Sequence, residues 1–486
     1  ASVLIIFFDL QPGHPEVTKT AGIAIWMAIW WITEAVPLYL TALIPVVLFP
    51  AFGITDGKTV SAQYFNWVIF LFLGGFMVAI AIQRWGLHRR IALRILLLFG
   101  VRPRTVLAGF MVATAFLSMW ISNTAATMMM VPIILAVIVK FEDIAGKEAT
   151  RRYSIGLLLG VAYAASIGGT ATLVGTPPNA VFVKIFAISF PGAPEISFAH
   201  WFVFALPIAI FFLVVVWLYL GFFYCSSAPV EVDIEEFRIQ YRELGPMSFE
   251  EKWVLAVFTA LAVLWITRSG ITIGDINIRG WSSLFMAPGY FNDGTVAIAV
   301  ASILFLIPSR AEPNTRLIGW DAVKDLPWGI VLLFGGGFAL AFGFKDSGLS
   351  MWVGERLAYI SFLHPVFIIA IICLLCTFLT ELTSNTATAQ ILLPVLASLA
   401  TAIEIHPLVI MIPATLAFSF AFMLPVATPP NAIVFGVGRI TIADMAKAGL
   451  LLNLIGVVIL TVASFILLPL FFDASLSNFP DWAAVK

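Results

Sequence analysis

Apolar runs about as long as a bilayer crossing fill almost the whole chain, and only short polar breaks separate them. A helix crosses the hydrocarbon with about 20 predominantly apolar residues. Of the 486 residues 61% are hydrophobic and only 11% charged, at a mean hydropathy of +1.03, against about 25% charged in an ordinary soluble domain. Such a chain cannot be packed behind a water-facing surface. It reads as an all-α polytopic membrane protein, and soluble multidomain enzymes are excluded. A formal net charge of -1 without a basic or acidic block leaves no electrostatic footprint for nucleic acid. Five His and three Cys are too few and too scattered for a metal or disulfide framework. Cys373 and Cys376 form a C-x-x-C inside an apolar run and read as two small buried side chains on one helix face.

Residues Ser2 to Phe8 are apolar but too few to span, so a first helix cut short is expected there. Apolar segments follow at about 20–33, 37–52, 66–83, 105–139, 154–187, 201–224, 253–267, 294–307, 328–344, 363–402, 407–437 and 447–472. Two of them, 105–139 and 363–402, are too long for one crossing, and each carries Ser-Asn-Thr near its middle. Lys and Arg flank the first of these on both sides, from Arg84 to Arg104 and from Lys140 to Arg152, so both its ends should face the cytoplasm. A segment that enters and leaves on one side is a re-entrant hairpin. With two hairpins and every other segment a single span, 18 of the 26 Lys and Arg fall inside. This reading has about eleven transmembrane helices, a cytoplasmic N-terminus, an outside C-terminus and a cytoplasmic linker from Ser226 to Lys252.

The chain also repeats itself. FLGGF at Phe72 to Phe76 parallels FGGGF at Phe334 to Phe338, and SNTAAT at Ser122 to Thr127 parallels SNTATA at Ser384 to Ala389, both at an offset of 262. GTPPNAVF from Gly175 parallels ATPPNAIVF from Ala427 at an offset of 252. Five crossings separate the span at 66 from that at 328, an odd number, so the two halves should be inverted in the membrane.

Non-helical Ser-Asn-Thr at membrane depth leaves backbone groups without helical partners, tolerable only where protein or a watery cavity satisfies them. Ser122, Asn123 and Thr124 suit the N-cap of the half-helix that follows, as do Ser384, Asn385 and Thr386 in the second copy. Each half-helix then aims a positive dipole end at the bilayer middle, a ready anion site. Two facing tips match a ligand with two anionic groups, such as a short dicarboxylate. Thr176-Pro177-Pro178-Asn179 and Thr428-Pro429-Pro430-Asn431 should break their helices, since Pro lacks the N–H and clashes with the preceding turn. The freed carbonyls, including those of Gly175 and Ala427, can serve a hard cation, as in ion-coupled transporters. No Lys or Arg sits in the four motifs, so a bound dianion would need co-bound cations. A single Ser-Asn-Thr would read as a packed polar seam; two in register, each followed by Thr-Pro-Pro-Asn, read as function. The Gly runs at Gly74 and Gly335 read as close helix packing, Glu34 as an interfacial structural residue, and Lys184 as snorkelling outward. Glu381 is expected to tune the cation site or relay protons.

At these residues the sequence resembles the divalent anion/sodium symporter family, the bacterial relatives of the sodium-coupled di- and tricarboxylate carriers. The resemblance runs from WWITEAVPLYLTALIPVVLFP through SNTAATMMMVP, GGTATLVGTPPN and TSNTATAQILLP to ATPPNAIVFG. It implies a homodimer in which each protomer pairs a scaffold with a transport domain that shifts in elevator fashion. The parts would be scaffold helices at 1–104 and 253–362, transport-domain hairpins and helices at 105–225 and 363–486, and the linker at 226–252. It further implies one sodium site at Ser118, Ser122, Asn123 and Gly175 and another at Thr380, Thr383, Asn385 and Ala427. Substrate carboxylates would fall to Asn123, Thr124, Asn385, Thr386 and Thr428, with Ser122, Ser384 and Pro429 in the same motifs. The implied activity is sodium-coupled import of C4-dicarboxylates (succinate, fumarate, malate) across a bacterial inner membrane, without an organic cofactor. A sodium-independent dicarboxylate exchanger and a citrate or sulfate carrier share the signature; an ion channel is the rival of another class. A membrane-embedded enzyme would need clustered intramembrane Asp, His or an HExxH, which the sequence lacks.

Overall fold

The computed structural model describes residues 10–100, 102–225, 235–273, 276–476 and 478–484. The stub expected at Ser2 to Phe8, the linker residues 226–234 and the C-terminal Lys486 lie outside the described residues. Twenty-two α-helices follow in chain order: α1 Pro15–Thr33, α2 Leu38–Thr41, α3 Ile44–Ala51, α4 Gly57–Ala62, α5 Trp67–Arg84, α6 Leu87–Leu98, α7 Pro103–Ser118, α8 Asn123–Ala145, α9 Lys147–Thr170, α10 Pro177–Ser189 and α11 Phe198–Phe223. The second half continues with α12 Glu235–Glu243, α13 Phe249–Arg268, α14 Asp293–Leu304, α15 Trp320–Lys324, α16 Trp328–Asp346, α17 Leu349–Leu357, α18 Pro365–Thr380, α19 Asn385–Ala402, α20 Pro407–Ala417, α21 Pro429–Gly436 and α22 Ile442–Phe472. The described chain is helical apart from short 3-10 turns and one antiparallel ribbon pairing Ile271–Ile273 with Ile276–Ile278.

Among the described residues six stretches are long and apolar enough to cross a membrane: Gly57–Arg84, Asn123–Ala145, Lys147–Thr170, Phe198–Phe223, Trp328–Asp346 and Ile442–Phe472. Five shorter apolar helices join them, among them Pro103–Ser118, Pro365–Thr380 and Pro407–Ala417. Apolar segments and helices therefore do not correspond one to one. The segments at 154–187 and 407–437, each read as one span, are in fact helix pairs, because the Pro-Pro steps start new helices at Pro177 and Pro429. The linker is likewise partly helical, with α12 inside it and α13 beginning at Phe249, before its expected end at Lys252.

The repeat is carried by whole elements. Helices α5 to α8 are matched in order by α16 to α19 at the offset of 262, and α10 by α21 at 252. The match includes two short helices that hydropathy alone does not mark, α6 and α17, each entered through a left-handed glycine, Gly86 and Gly348. Arg90 on α6 is buried and forms a two-pronged ion pair with Glu251 (2.8 and 3.0 Å). The glycine runs pack helices closely, as their composition suggests: a Cβ on Gly74 would stand 2.6 Å from Ala297, and one on Gly336 2.3 Å from Ala42 O. Glu34 closes α1 in a left-handed turn and is exposed, a structural position. Cys373 and Cys376 are free and buried on α18. At the core lies α9, every residue of which from Tyr153 to Thr170 is buried. It packs against α7, α8, α11 and α21.

At the start of α13 the buried Glu250 carboxylate accepts the backbone N–H groups of Arg310 (2.7 Å) and Ala311 (2.9 Å) and the Ser309 hydroxyl (3.1 Å). Burial opposes its charge, but the N–H groups of Ala311 and Arg310 outweigh it and bring the carboxyl down to about 2. A group depressed on folding adds stability that is present above its ordinary value of 4.5 and lost as the pH falls toward 2. The thermal midpoint of the protein in detergent should therefore fall on acidification through that window, and Glu250→Gln should flatten this dependence. Equal slopes in the two proteins would show that the loop at Ser309 to Ala311 does not depend on the charge.

Candidate functional site

Both Ser-Asn-Thr motifs sit where a helix stops and another starts. Helix α7 ends at Ser118 and α8 begins at Asn123, with Ser122 extended (φ -61, ψ 144) and its Oγ accepting the Ala125 N–H at 3.2 Å. Ser384 repeats this at the start of α19 (φ -61, ψ 125), its Oγ accepting the Ala387 N–H at 3.5 Å. The expected N-caps are therefore made, and each following helix presents its first N–H groups at the break. Thr124 is half-buried and Thr386 buried, each in the first turn of its helix.

Behind each tip, oxygen atoms converge. In the first repeat the Ser118 hydroxyl lies within hydrogen-bond reach of both the Asn123 amide oxygen and the Ala165 carbonyl (2.7 Å). The Asn123 amide oxygen faces acceptors; with the amide turned over, its nitrogen donates to Gly175 O and Ala165 O, both at 3.2 Å. In the second repeat Thr380 Oγ1 reaches both Asn385 Oδ1 (2.6 Å) and Phe418 O (3.0 Å). A hydroxyl has one hydrogen to give. Each cluster thus holds more acceptors than donors, and a hard cation, which binds oxygen ligands, relieves that shortage. Ala165 and Phe418 contribute through carbonyls, which no side-chain pattern marks, so the sequence reading missed both.

The carbonyls of Gly175 and Phe418 lie where the helices have stopped, whereas that of Ala165 lies within α9. After α9 the chain is non-helical at 171–176, and after α20 at 418–428. The asparagines of the two Thr-Pro-Pro-Asn motifs span these gaps in matching ways. Asn179 Nδ2 donates to Thr172 O (2.7 Å) and Thr170 O (3.1 Å), and Asn431 Nδ2 donates to Ala421 O and Leu424 O, both at 3.0 Å. In the first gap Trp201 Nε1 also bonds Thr170 O (3.0 Å), and Thr172 Oγ1 ties the gap to Met119 O (2.6 Å). In the second the buried Glu381 carboxylate collects the N–H groups of Phe422, Met423 and Leu424 (2.7, 2.9 and 3.0 Å) and Asn453 Nδ2 (2.7 Å). Glu381, expected to tune a cation or relay protons, is thus an anchor for unwound backbone.

The structure brings Ser118, Asn123 and Gly175 together in one cluster and Thr380 and Asn385 in the other. A contact between Thr176 Oγ1 and Ser419 Oγ (3.4 Å) joins the chain beside Gly175 to the chain beside Phe418, so the two clusters are neighbours. Other expected residues are used differently. Thr383 Oγ1 bonds Leu379 O (2.9 Å) and Thr388 Oγ1 (2.5 Å). Thr428 caps α21 through the Asn431 N–H (3.3 Å), and Pro429 is the first residue of that helix. Ala427 closes a turn onto Leu424 O (3.2 Å) immediately before this cap.

Residues 3–471 match the family model described as the sodium:sulfate symporter transmembrane region. Over 457 residues the chain is 44% identical to a protein named sodium-dependent dicarboxylate transporter SdcS from Staphylococcus saprophyticus, covering 92% of this chain and 85% of the relative. The protein of the same name from Staphylococcus aureus is 42% identical over 473 residues, covering 96% and 89%. Among solved structures the chain resembles the efflux pump MtrF of Neisseria gonorrhoeae (TM-score 0.58, 12% identity, covering 96% of this chain and 97% of that one). It also resembles the YdaH transporter of Alcanivorax borkumensis (TM-score 0.54, 13% identity, covering 91% and 97%). At these identities the likeness concerns the fold alone.

Removing a donor from buried carbonyls leaves them unsatisfied at a cost of about 1–3 kcal/mol each. Asn179→Ala and Asn431→Ala should each lower the thermal midpoint in detergent. Full retention of the wild-type midpoint would mean that the gaps do not depend on these amides.

Proposed function

The chain belongs to the family of the sodium:sulfate symporter transmembrane region, a family of transporters and not of enzymes, and on that premise we propose that it is a sodium-coupled symporter importing C4-dicarboxylates such as succinate, fumarate and malate. The observation that carries this reading is the pair of donor-poor oxygen clusters, each behind a capped helix N-terminus and linked by the Thr176 and Ser419 contact. Each helix N-terminus carries about half a positive charge, so two tips approach one charge against the two of a dicarboxylate. With no Lys or Arg in the motifs, the remainder falls to cations. Transport of the anion is then bound to transport of sodium, because neither binds well alone.

In this reading one sodium ion is held by Ser118, Asn123, Gly175 and the added carbonyl of Ala165, beside Ser122. A second is held by Thr380, Asn385 and the added carbonyl of Phe418, beside Thr383 and Ala427. The substrate carboxylates lie at Asn123, Thr124, Asn385 and Thr386 with Ser122 and Ser384, flanked by Thr428 and Pro429. The two halves run in opposite directions through the bacterial inner membrane, and the hairpins at 105–139 and 363–402 are re-entrant. Residues 105–225 and 363–486 move as one body in elevator fashion within a homodimer. Ion pairs between these two parts support their moving together: Arg439 meets Glu142, and Arg151 meets Asp444 at 3.1 Å.

Labelled succinate should accumulate in proteoliposomes when sodium is supplied outside, and Asn123→Ala or Asn385→Ala protein that still folds should lose this uptake. Uptake indifferent to sodium would reassign the chain as an exchanger. Competition by citrate or sulfate but not by C4-dicarboxylates would change the substrate class, and a single-channel conductance from purified protein would favour a pore.

A further inference from the structure

Residue by residue, the walls of the first oxygen cluster are slighter than those of the second. Ser118 is matched by Thr380, Gly169 by Ala421 and Gly175 by Ala427, so a methyl group is added at each of the three positions in the second repeat. The missing methyls have a geometric cause. A Cβ on Gly169 would stand 2.6 Å from Asn123 Oδ1 and 3.0 Å from Gly175 O. One on Gly175 would stand 2.5 Å from Gly169 O and 2.9 Å from Ser118 O, and one on the neighbouring Gly168 2.3 Å from Ala115 O. At Gly168 and Gly175 the first cluster is therefore enclosed by backbone lying directly on backbone, and at Gly169 by the Asn123 amide that is itself a member of the cluster. Its non-helical stretch is short, residues 171–176, and is tied at Thr172 to Met119 and Asn179.

The second cluster is built differently. Its non-helical stretch runs from 418 to 428, nearly twice as long. That stretch is held through the side chains of Glu381 and Asn431, with Asn453 bonded to Glu381, and by close backbone approach at Gly449 on α22, where a Cβ would stand 2.2 Å from Phe422 O. Discrimination among cations of equal charge rests on cavity size, ligand number and ligand flexibility. A ligand cage that cannot widen excludes a larger ion; one carried on a long strap can adapt to it.

We propose, on the basis of the symport reading, that the two cation sites are of unequal stringency: the glycine-walled first site, with Gly169 as the residue that sets its gauge, discriminates sodium from potassium, and the second site is the tolerant one. Gly169 acts on specificity by leaving the Asn123 amide room to face the ion.

The test uses the purified full chain in detergent, titrated with sodium, lithium or potassium chloride while the thermal midpoint is followed. In the wild type sodium should half-saturate the stabilisation at a concentration lower than potassium by about tenfold or more. Gly169→Ala should raise the sodium half-saturation and bring the sodium-to-potassium ratio to within about threefold of unity, whereas Ala421→Gly should keep the wild-type ratio. Should Gly169→Ala not fold, Ser118→Thr introduces the second site's methyl into the first and should compress the ratio in the same direction. A wild-type ratio in Gly169→Ala, or in Ser118→Thr where it stands in, overturns the proposal, as does a collapse of the ratio in Ala421→Gly instead. Wild-type protein whose stability responds to no cation, with uptake also indifferent to sodium, overturns the symport reading itself.

Discussion

Backbone that leaves the helix inside an apolar medium must find partners for its N–H and C=O groups, and the structure is arranged around that demand. Four interruptions occur in the segments that form the candidate site, two at Ser-Asn-Thr and two before Thr-Pro-Pro-Asn. Caps at Ser122, Ser384 and Thr428 satisfy the helix starts. Amide struts at Asn179 and Asn431 satisfy the carbonyls upstream. Behind the two tips lie clusters of oxygen with fewer hydrogens than acceptors, and that shortage is the chemistry the proposed function uses.

The two repeats meet the same demand by different means. The first relies on proximity: glycines let α7, α9 and the chain after α9 touch. The second relies on a charge. Glu381 stands where the first repeat has Met119, and its two oxygens gather four donors from backbone and Asn453. Tyr163 of the first repeat adds a bond to Phe422 O (2.9 Å), so the second strap is partly held by the first half. Near-symmetry in sequence thus coexists with unequal stiffness at equivalent places.

The strongest features of the architecture were legible in the sequence. The break at Ser-Asn-Thr, the N-caps and the new helices at Pro177 and Pro429 each follow from a local rule about one residue type. The close packing at Gly74 and Gly336 follows from the absence of a side chain. Less legible were α6 and α17, because short amphipathic helices do not stand out in a search for apolar runs, and the charges of α6 mark a cytoplasmic flank without showing that Arg90 is buried against Glu251. The contributions of Ala165 and Phe418 were invisible because a carbonyl belongs to every residue. The anchoring of unwound backbone by Glu381 was not legible, since its three N–H partners are some forty positions away in the chain. The pairing of Gly169 with Ala421 was within reach: extending the offset of 252 upstream from Thr-Pro-Pro-Asn arrives at it.

Each oxygen cluster draws all of its members from a single repeat: Ser118, Asn123, Ala165 and Gly175 in one, Thr380, Asn385 and Phe418 in the other. On the proposed function, a half-length ancestor of this chain would accordingly have carried a whole cation pocket but only one capped tip. Gene duplication and fusion would then have added no new ion chemistry; in that reading their contribution would be a second tip, and with it the place for a doubly charged solute.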